Sequence, residues 1–309
     1  MYDTVNFWLS TEMLNYQNVS KSLQQLSDVT EHTKDDGQIH ISGCLDNYKV
    51  NYSGQGISFK GSLAKYFLSD NFHTLTRSDS ARAIEKMSDE LCLPIDRAKV
   101  TRTDFAQNFL MRFAPEAYYL YLGESKYYKR LSQPKSVYWS NGNRTKLVYN
   151  KVAEAKVKKQ PLPDVWKGQN VLRYELRYTK RLPKQFNTPE VKTSDLSDEK
   201  FYMTLFDKWQ AEYEAIDKIQ SFNFNLSKMN SPNDFWKQIN LLAVNMIGQD
   251  RIMQEIENLR HQRALNRLEY YSRLKKELKE LCKTPGMTTQ SDLVAELDKK
   301  IKNAKRYYR

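Results

Sequence analysis

Within the first 60 residues, apolar and polar side chains alternate in short runs, at 4–9, 38–45, 48–52 and 56–60, with Gly and Asn between them. A period of two is the signature of a half-buried strand, so the segment is expected to form an antiparallel meander. The pattern then changes to a helical spacing. Residues 78–91 place Ala83, Ile84, Met87 and Leu91 on one side behind Ser78 at a cap position, which predicts a helix laid on the sheet. Strands are predicted again at 99–109, at 135–151 as a pair around the turn Ser140-Asn141-Gly142-Asn143, and at 169–178. Short helices are expected at 114–120 and 152–159.

Beyond Pro183 the alternation disappears. A polar stretch leads into apolar-periodic segments at 201–218 and 234–247, and then a long helix is expected over 250–281, striped by Ile252, Ile256, Leu259, Leu268, Tyr271, Leu274, Leu278 and Leu281. The expected architecture is α+β, a mainly antiparallel sheet with covering helices over 1–185, followed by an all-helical C-terminal module over 186–309 that serves DNA recognition, dimerisation or a partner contact.

Charge adds a functional direction to this picture. The 309 residues carry a formal net charge of +12, and residues 124–184 alone hold 16 Lys or Arg against four acids. The remaining 33 basic and 33 acidic residues cancel, so the whole excess lies in one fifth of the chain. Tyr127, Tyr128, Tyr138, Trp139, Tyr149, Trp166, Tyr174 and Tyr178 are interleaved with those cations. Rings that stack on bases beside cations that bind phosphate suit a single nucleic-acid strand, while a solvated basic face over an aromatic core would give the same composition. Three distant cysteines (Cys44, Cys92 and Cys282) without a CxxC pair point to a reducing compartment. The sequence has neither a signal-peptide pattern nor a run of about 18 apolar residues, so a cytoplasmic protein is expected, without a membrane partner.

Strand alternation sorts the candidate chemistry. In Thr101-Arg102-Thr103-Asp104-Phe105, Arg102 and Asp104 share a face. In residues 171–178, Leu172, Tyr174, Leu176 and Tyr178 form one face and Arg173, Glu175 and Arg177 the other. In residues 145–151, Thr145, Leu147, Tyr149 and Lys151 point the same way. Should these strands be neighbours, two carboxylates, a tyrosine, a lysine and several arginines meet. Such carboxylates suit Mg²⁺ or Mn²⁺ and the tyrosine suits a nucleophile. A solvated cross-strand ion network is the competing reading of the same pattern.

The ordered segments TRTDF (residues 101–105), SVYWSNGNRTKLVYNKVAEAK (136–156) and VLRYELRYTKRL (171–182), with GSLAKYF (61–67) as a fourth, resemble the gene II/X family of phage and plasmid rolling-circle replication initiators. The resemblance covers about residues 1–185. It implies a nicking and joining enzyme with Asp104 and Glu175 as metal-binding acids, Tyr149 as nucleophile and Lys151 beside it. It implies a covalent phosphotyrosine on the new 5′ end and a free 3′ hydroxyl to prime synthesis. Transesterification conserves the bond energy, and the sequence has no GxxxxGK[ST] loop. Origin DNA is the implied partner, in a bacterial cytoplasm; a host helicase and a second copy of the chain are candidate partners of the helical module, which the resemblance does not cover. Phosphate contacts are expected from Arg102, Lys126, Lys129, Arg130, Arg144, Lys146, Arg173 and Arg177.

The four histidines offer no His-hydrophobe-His pair, so a carboxylate site takes the place of the metal site of the better-known HUH initiators. Glu154 is a third ligand or a surface glutamate, and Tyr127 and Tyr128 are rival nucleophiles or part of a DNA-contacting loop. A non-catalytic DNA- or RNA-binding regulator and a mobilisation relaxase are the alternative functions.

Overall fold

The computed structural model describes residues 1–307 apart from 15, 34, 36, 223–230 and 284–287. The alternating segments become strands, joined by β2, β7, β8 and β12 that alternation did not mark; in chain order they are β1 (Tyr2–Ser10), β2 (Ser27–Thr33), β3 (Ile39–Leu45), β4 (Tyr48–Ser53), β5 (Gly56–Lys60), β6 (Lys99–Leu110), β7 (Leu122–Ser125), β8 (Lys129–Gln133), β9 (Ser136–Ser140), β10 (Arg144–Asn150), β11 (Val171–Tyr178) and β12 (Ile216–Lys218). The helices are α1 (Tyr16–Gln24), α2 (Leu63–Leu68), α3 (Arg77–Leu91), α4 (Pro115–Tyr119), α5 (Lys151–Val157), α6 (Leu182–Phe186), α7 (Glu199–Glu214), α8 (Pro232–Ile247), α9 (Gln249–His261), α10 (Leu268–Leu281) and α11 (Asp292–Tyr307).

Ten strands form one antiparallel sheet in the order β2-β3-β4-β5-β1-β6-β11-β10-β9-β8. The three strands that carry the sequence motifs, β6, β11 and β10, are consecutive near its middle. Gly142 takes a left-handed φ of 83° in the β9–β10 turn, which its missing Cβ permits. Helix α3 begins one residue earlier than its spacing suggests, because Thr76 and Asp79 form a reciprocal capping box ahead of Ser78.

Two compact units divide the chain. The first holds Met1–Glu116, Ser125–Ala215 and residues from Lys300 onward. It therefore runs past the division expected at residue 185, and α7 is the reason. Tyr202, Leu205, Phe206, Trp209 and Tyr213 recur along one side of α7 and are fully buried. Trp209 meets Tyr174 of β11 with ring centroids 5.0 Å apart, and Tyr202 meets Phe105 of β6 at 5.5 Å. One face of the sheet is closed by this aromatic layer, which leaves the other face for the polar side chains of the same strands.

The second unit holds Ala117–Glu124 and Ile216–Lys299. Its segment expected as one helix over 250–281 is two, α9 and α10, and Arg263 turns the chain between them at a φ of 52°. Folding back lets the two halves of one apolar stripe bury each other, in a cluster of Met253, Ile256, Tyr271, Leu278 and Cys282. No helix among the described residues is long and apolar enough to cross a membrane.

Candidate active site

Antiparallel pairing turns strand alternation into rows that cross the sheet, because directly opposed residues share a face. On the face away from α7, one row reads Asn108, Arg173, Tyr149, Ser136, Gln133 across β6, β11, β10, β9 and β8. The next reads Ala106, Glu175, Leu147, Tyr138, Leu131, and the third Asp104, Arg177, Thr145, Ser140, Lys129. A cavity of about 540 Å³ opens on this face, and its lining includes Asp3, Arg102, Asp104, Tyr149, Glu154, Glu175 and Arg177.

The competing reading, a solvated ion network, is not what forms: β11 lies between β6 and β10, and its Arg173 and Glu175 are buried. Arg173 is the hub of the network. The guanidinium donates from Nη2 to Asp3 Oδ2, from Nε to Glu175 Oε2 at 3.3 Å, and from Nη1 to the Asn71 carbonyl at 3.0 Å and Asn108 Oδ1 at 3.2 Å. Arg177 Nε lies 2.6 Å from Glu175 Oε1 and 3.8 Å from Asp104 Oδ2, so one guanidinium stands between the two carboxylates. Arg102 grips Asp104 with two bonds, Nε to Oδ1 at 2.8 Å and Nη2 to Oδ2 at 2.5 Å.

The Tyr149 hydroxyl donates to Glu175 Oε2 at 3.3 Å, and the residue is 8% exposed. Burial pushes its hydroxyl well above the ordinary tyrosine range; Arg173 pulls it down, and the Glu175, Glu154 and Asp3 charges push it further up. For Glu175 burial works upward, but Arg177 and Arg173 outweigh it and hold the carboxyl below its usual range. For Asp104 burial wins over its arginines, and its carboxyl is raised.

Lys151 is not the last residue of the strand. Asn150 caps α5 with its side chain, accepting from the Ala153 N–H, so the chain turns into helix at Lys151. The lysine is buried, its Nζ 2.8 Å from Glu154 Oε2 and 5.1 Å from the centroid of the Phe72 ring. Burial, then the nearby Arg173, lower its ammonium to about 8. Glu154 also pairs with Lys158, so this glutamate serves two lysines rather than standing with Asp104 and Glu175.

The expected phosphate contacts separate into three groups. Arg102 and Arg177 line the cavity with side chains about one third exposed, at 32% and 31%. Arg173 is buried among its four acceptors. Arg144 and Lys146 lie on the opposite face under α7: Lys146 Nζ is 2.7 Å from both Glu212 Oε2 and Ser125 Oγ, Arg144 bonds the same glutamate, and neither reaches the cavity. That displacement follows from parity, since Lys146 alternates with Leu147 and Tyr149. Lys126, Lys129 and Arg130 lie on β8 and the turn before it, where Tyr127 is 80% exposed with Lys126 over its ring. Tyr128 bonds Glu212 at 3.0 Å, on the α7 side, and neither of these tyrosines lines the cavity.

Asp3 escapes sequence reasoning although it lies at the centre. It accepts from Ser62 Oγ at 2.6 Å, from Asn71 Nδ2 at 3.2 Å and from Arg173. Burial pushes it up, yet Arg173 and these donors hold it at about 2. The available signal was an acid two residues before Val5, Phe7 and Leu9 on an otherwise apolar parity; the register shifts between Tyr2 and Val5, at the strand end where Asp3 meets Arg173.

Asp104 and Glu175 supply the hard carboxylate oxygens that a divalent ion takes, and the Arg177 guanidinium stands between them. Among the described residues no three His, Cys, Asp or Glu side chains converge on a metal position.

The ordered motifs meet on one face of the sheet, with an acid from β6, an acid from β11 and a tyrosine from β10 around one cavity. The family model for the N-terminal region of the replication-associated gene II protein matches residues 1–212, and so ends within α7, the helix that closes the other side of the sheet. No curated protein matches the chain. The chain belongs to this family of replication-associated proteins, the gene II-type initiators of phage rolling-circle replication.

Proposed function

We propose that the chain starts rolling-circle replication by cutting and rejoining one strand at an origin, with Tyr149 as the nucleophile. The observation that carries this reading is the Tyr149 hydroxyl, which donates to Glu175 at the wall of a cavity also lined by Arg102 and Arg177. In the cutting step the Tyr149 oxygen bonds to phosphorus and the bond from phosphorus to the 3′ oxygen breaks. The tyrosine proton passes by way of Glu175 to solvent and the departing 3′ oxygen takes one from solvent, so one phosphoester replaces another and no nucleotide is consumed.

Arg102 and Arg177, each partly exposed, turn to the phosphate and balance its developing charge. Arg173 holds Glu175 and Asp3 in place. Lys151, held on Glu154, adds positive potential beside Tyr149. Mg²⁺ or Mn²⁺, held by Asp104 and Glu175, would supply further positive charge to the phosphate oxygens. The helical unit serves origin recognition, a second copy of the chain or a helicase.

The test is a denaturing gel of the chain with labelled single-stranded and supercoiled DNA spanning its own gene, with Mg²⁺ or Mn²⁺ and with chelator. A covalent protein–DNA band that is lost in Tyr149→Phe is expected. Tight binding with no band on any fragment would instead favour a non-catalytic DNA-binding regulator.

A further inference from the structure

The middle row of the cavity face changes character along its length. It passes from Glu175 through Leu147 and Tyr138 to Leu131 at the sheet edge. Leu147 is buried, Tyr138 is half-buried on the cavity wall, and Leu131 is 55% exposed. Trp139 and Val137, the neighbours of Tyr138 in β9, point to the covered face and are fully buried. The strand therefore has its structural core on one side and places a second aromatic, less covered, on the side of Tyr149.

The rows that flank this apolar strip carry hydrogen-bonding groups and a cation. Ser136 and Gln133 lie on one side, Ser140 and Lys129 on the other, and neither β8 nor β9 contains a carboxylate. An apolar strip bordered by hydroxyls, an amide and an ammonium suits a polymer with flat apolar faces and an anionic backbone. Tyr138 and Tyr149 occupy diagonal positions on adjacent strands, because Tyr149 opposes Ser136 while Tyr138 opposes Leu147. Side chains so placed reach neighbouring parts of one ligand.

We propose that Tyr138 is a stacking platform: its ring, extended by Leu131, carries a base of the single DNA strand that enters the Tyr149 cavity and so positions the adjoining phosphodiester. This rests on the reading of Tyr149 as the nucleophile and names the residue that presents the substrate to it. Tyr138 acts through its ring rather than its hydroxyl.

Fluorescence anisotropy of the full chain with a labelled oligothymidylate tests this, with thermal melting and adduct formation followed in parallel. Tyr138→Phe is expected to bind within about twofold of wild type. Tyr138→Leu, which keeps an apolar cross-strand partner for Leu131 and Leu147, is expected to bind about five- to a hundredfold more weakly at an unchanged melting temperature. Its adduct yield should fall at low DNA concentration and recover at saturation. Wild-type binding by Tyr138→Leu overturns the platform, as does a Phe variant as defective as the Leu variant. If Tyr138→Leu also melts early, Tyr138→Trp decides: a platform retains binding with the larger ring, and binding as weak as that of the Leu variant overturns it. An adduct that persists in Tyr149→Phe removes the nucleophile assignment alone, and normal binding by Tyr138→Leu beside a Tyr149-dependent adduct removes the platform alone.

Discussion

Tyr149 bonds Glu175 diagonally across β10 and β11, at 3.3 Å, while the residue directly opposite it is Arg173. The tyrosine thus meets a carboxylate through its hydroxyl and lies opposite a guanidinium, both on one neighbouring strand. Removing only that oxygen separates chemistry from architecture. Tyr149→Phe should abolish the covalent adduct and leave salt-dependent DNA binding within about twofold. Urea unfolding should show a loss of about 1–2 kcal/mol, since Glu175 keeps both arginines.

Arg173 is the part of the site that the fold most needs. It is buried against Asp3, Glu175, Asn71 and Asn108, and Arg173→Met would leave two buried carboxylates short of a cation. A loss of about 3–5 kcal/mol is expected in urea unfolding. Arg177→Met should cost much less stability, because that side chain is partly exposed, but should reduce adduct formation at least tenfold; equal destabilisation by the two variants would contradict this division.

Asp3 gives the site an acid-sensitive component. Its folded-state value of about 2 lies below its ordinary 3.8, so the stabilisation is fully present above about pH 4 and is lost as pH falls toward 2. Asp3→Asn should therefore be less stable than wild type at neutral pH by about 2 kcal/mol, with the two curves converging at the acid end. Parallel curves down to pH 2 would show that Asp3 is not held down by Arg173. Urea midpoints at half-unit pH intervals provide the comparison.

The α7 layer covers the face of the sheet opposite the site. Trp209 is fully buried between Phe109, Tyr174 and Phe206, so Trp209→Ala should cost about 3–5 kcal/mol. Near-ultraviolet circular dichroism and urea unfolding measure it. A change under 1 kcal/mol would mean that α7 is not part of the sheet's core.

Parity made much of the site legible in the sequence. Arg102 with Asp104, and Arg173 with Glu175 and Arg177, fall on one face as their spacing requires, and the ordered motifs carried the family. Parity also excluded Lys146 from that face, although it stood among the expected phosphate contacts. Strand β8 was not foreseen, because Lys129–Gln133 has a single apolar residue, Leu131, and owes its pairing to β9.

What the sequence determined by itself is local: which residues alternate, where caps and turns interrupt, and which chemistry travels on which strand. These follow from backbone geometry within a few residues. Only the tertiary structure decided that β6, β11 and β10 are neighbours, that Asp3 reaches Arg173 from 170 residues away, that Glu154 belongs to Lys151 and Lys158, and that α7 covers the other face. Those outcomes depend on how buried charges find partners and apolar faces find cover across the whole chain, and neither requirement has a spacing in the sequence.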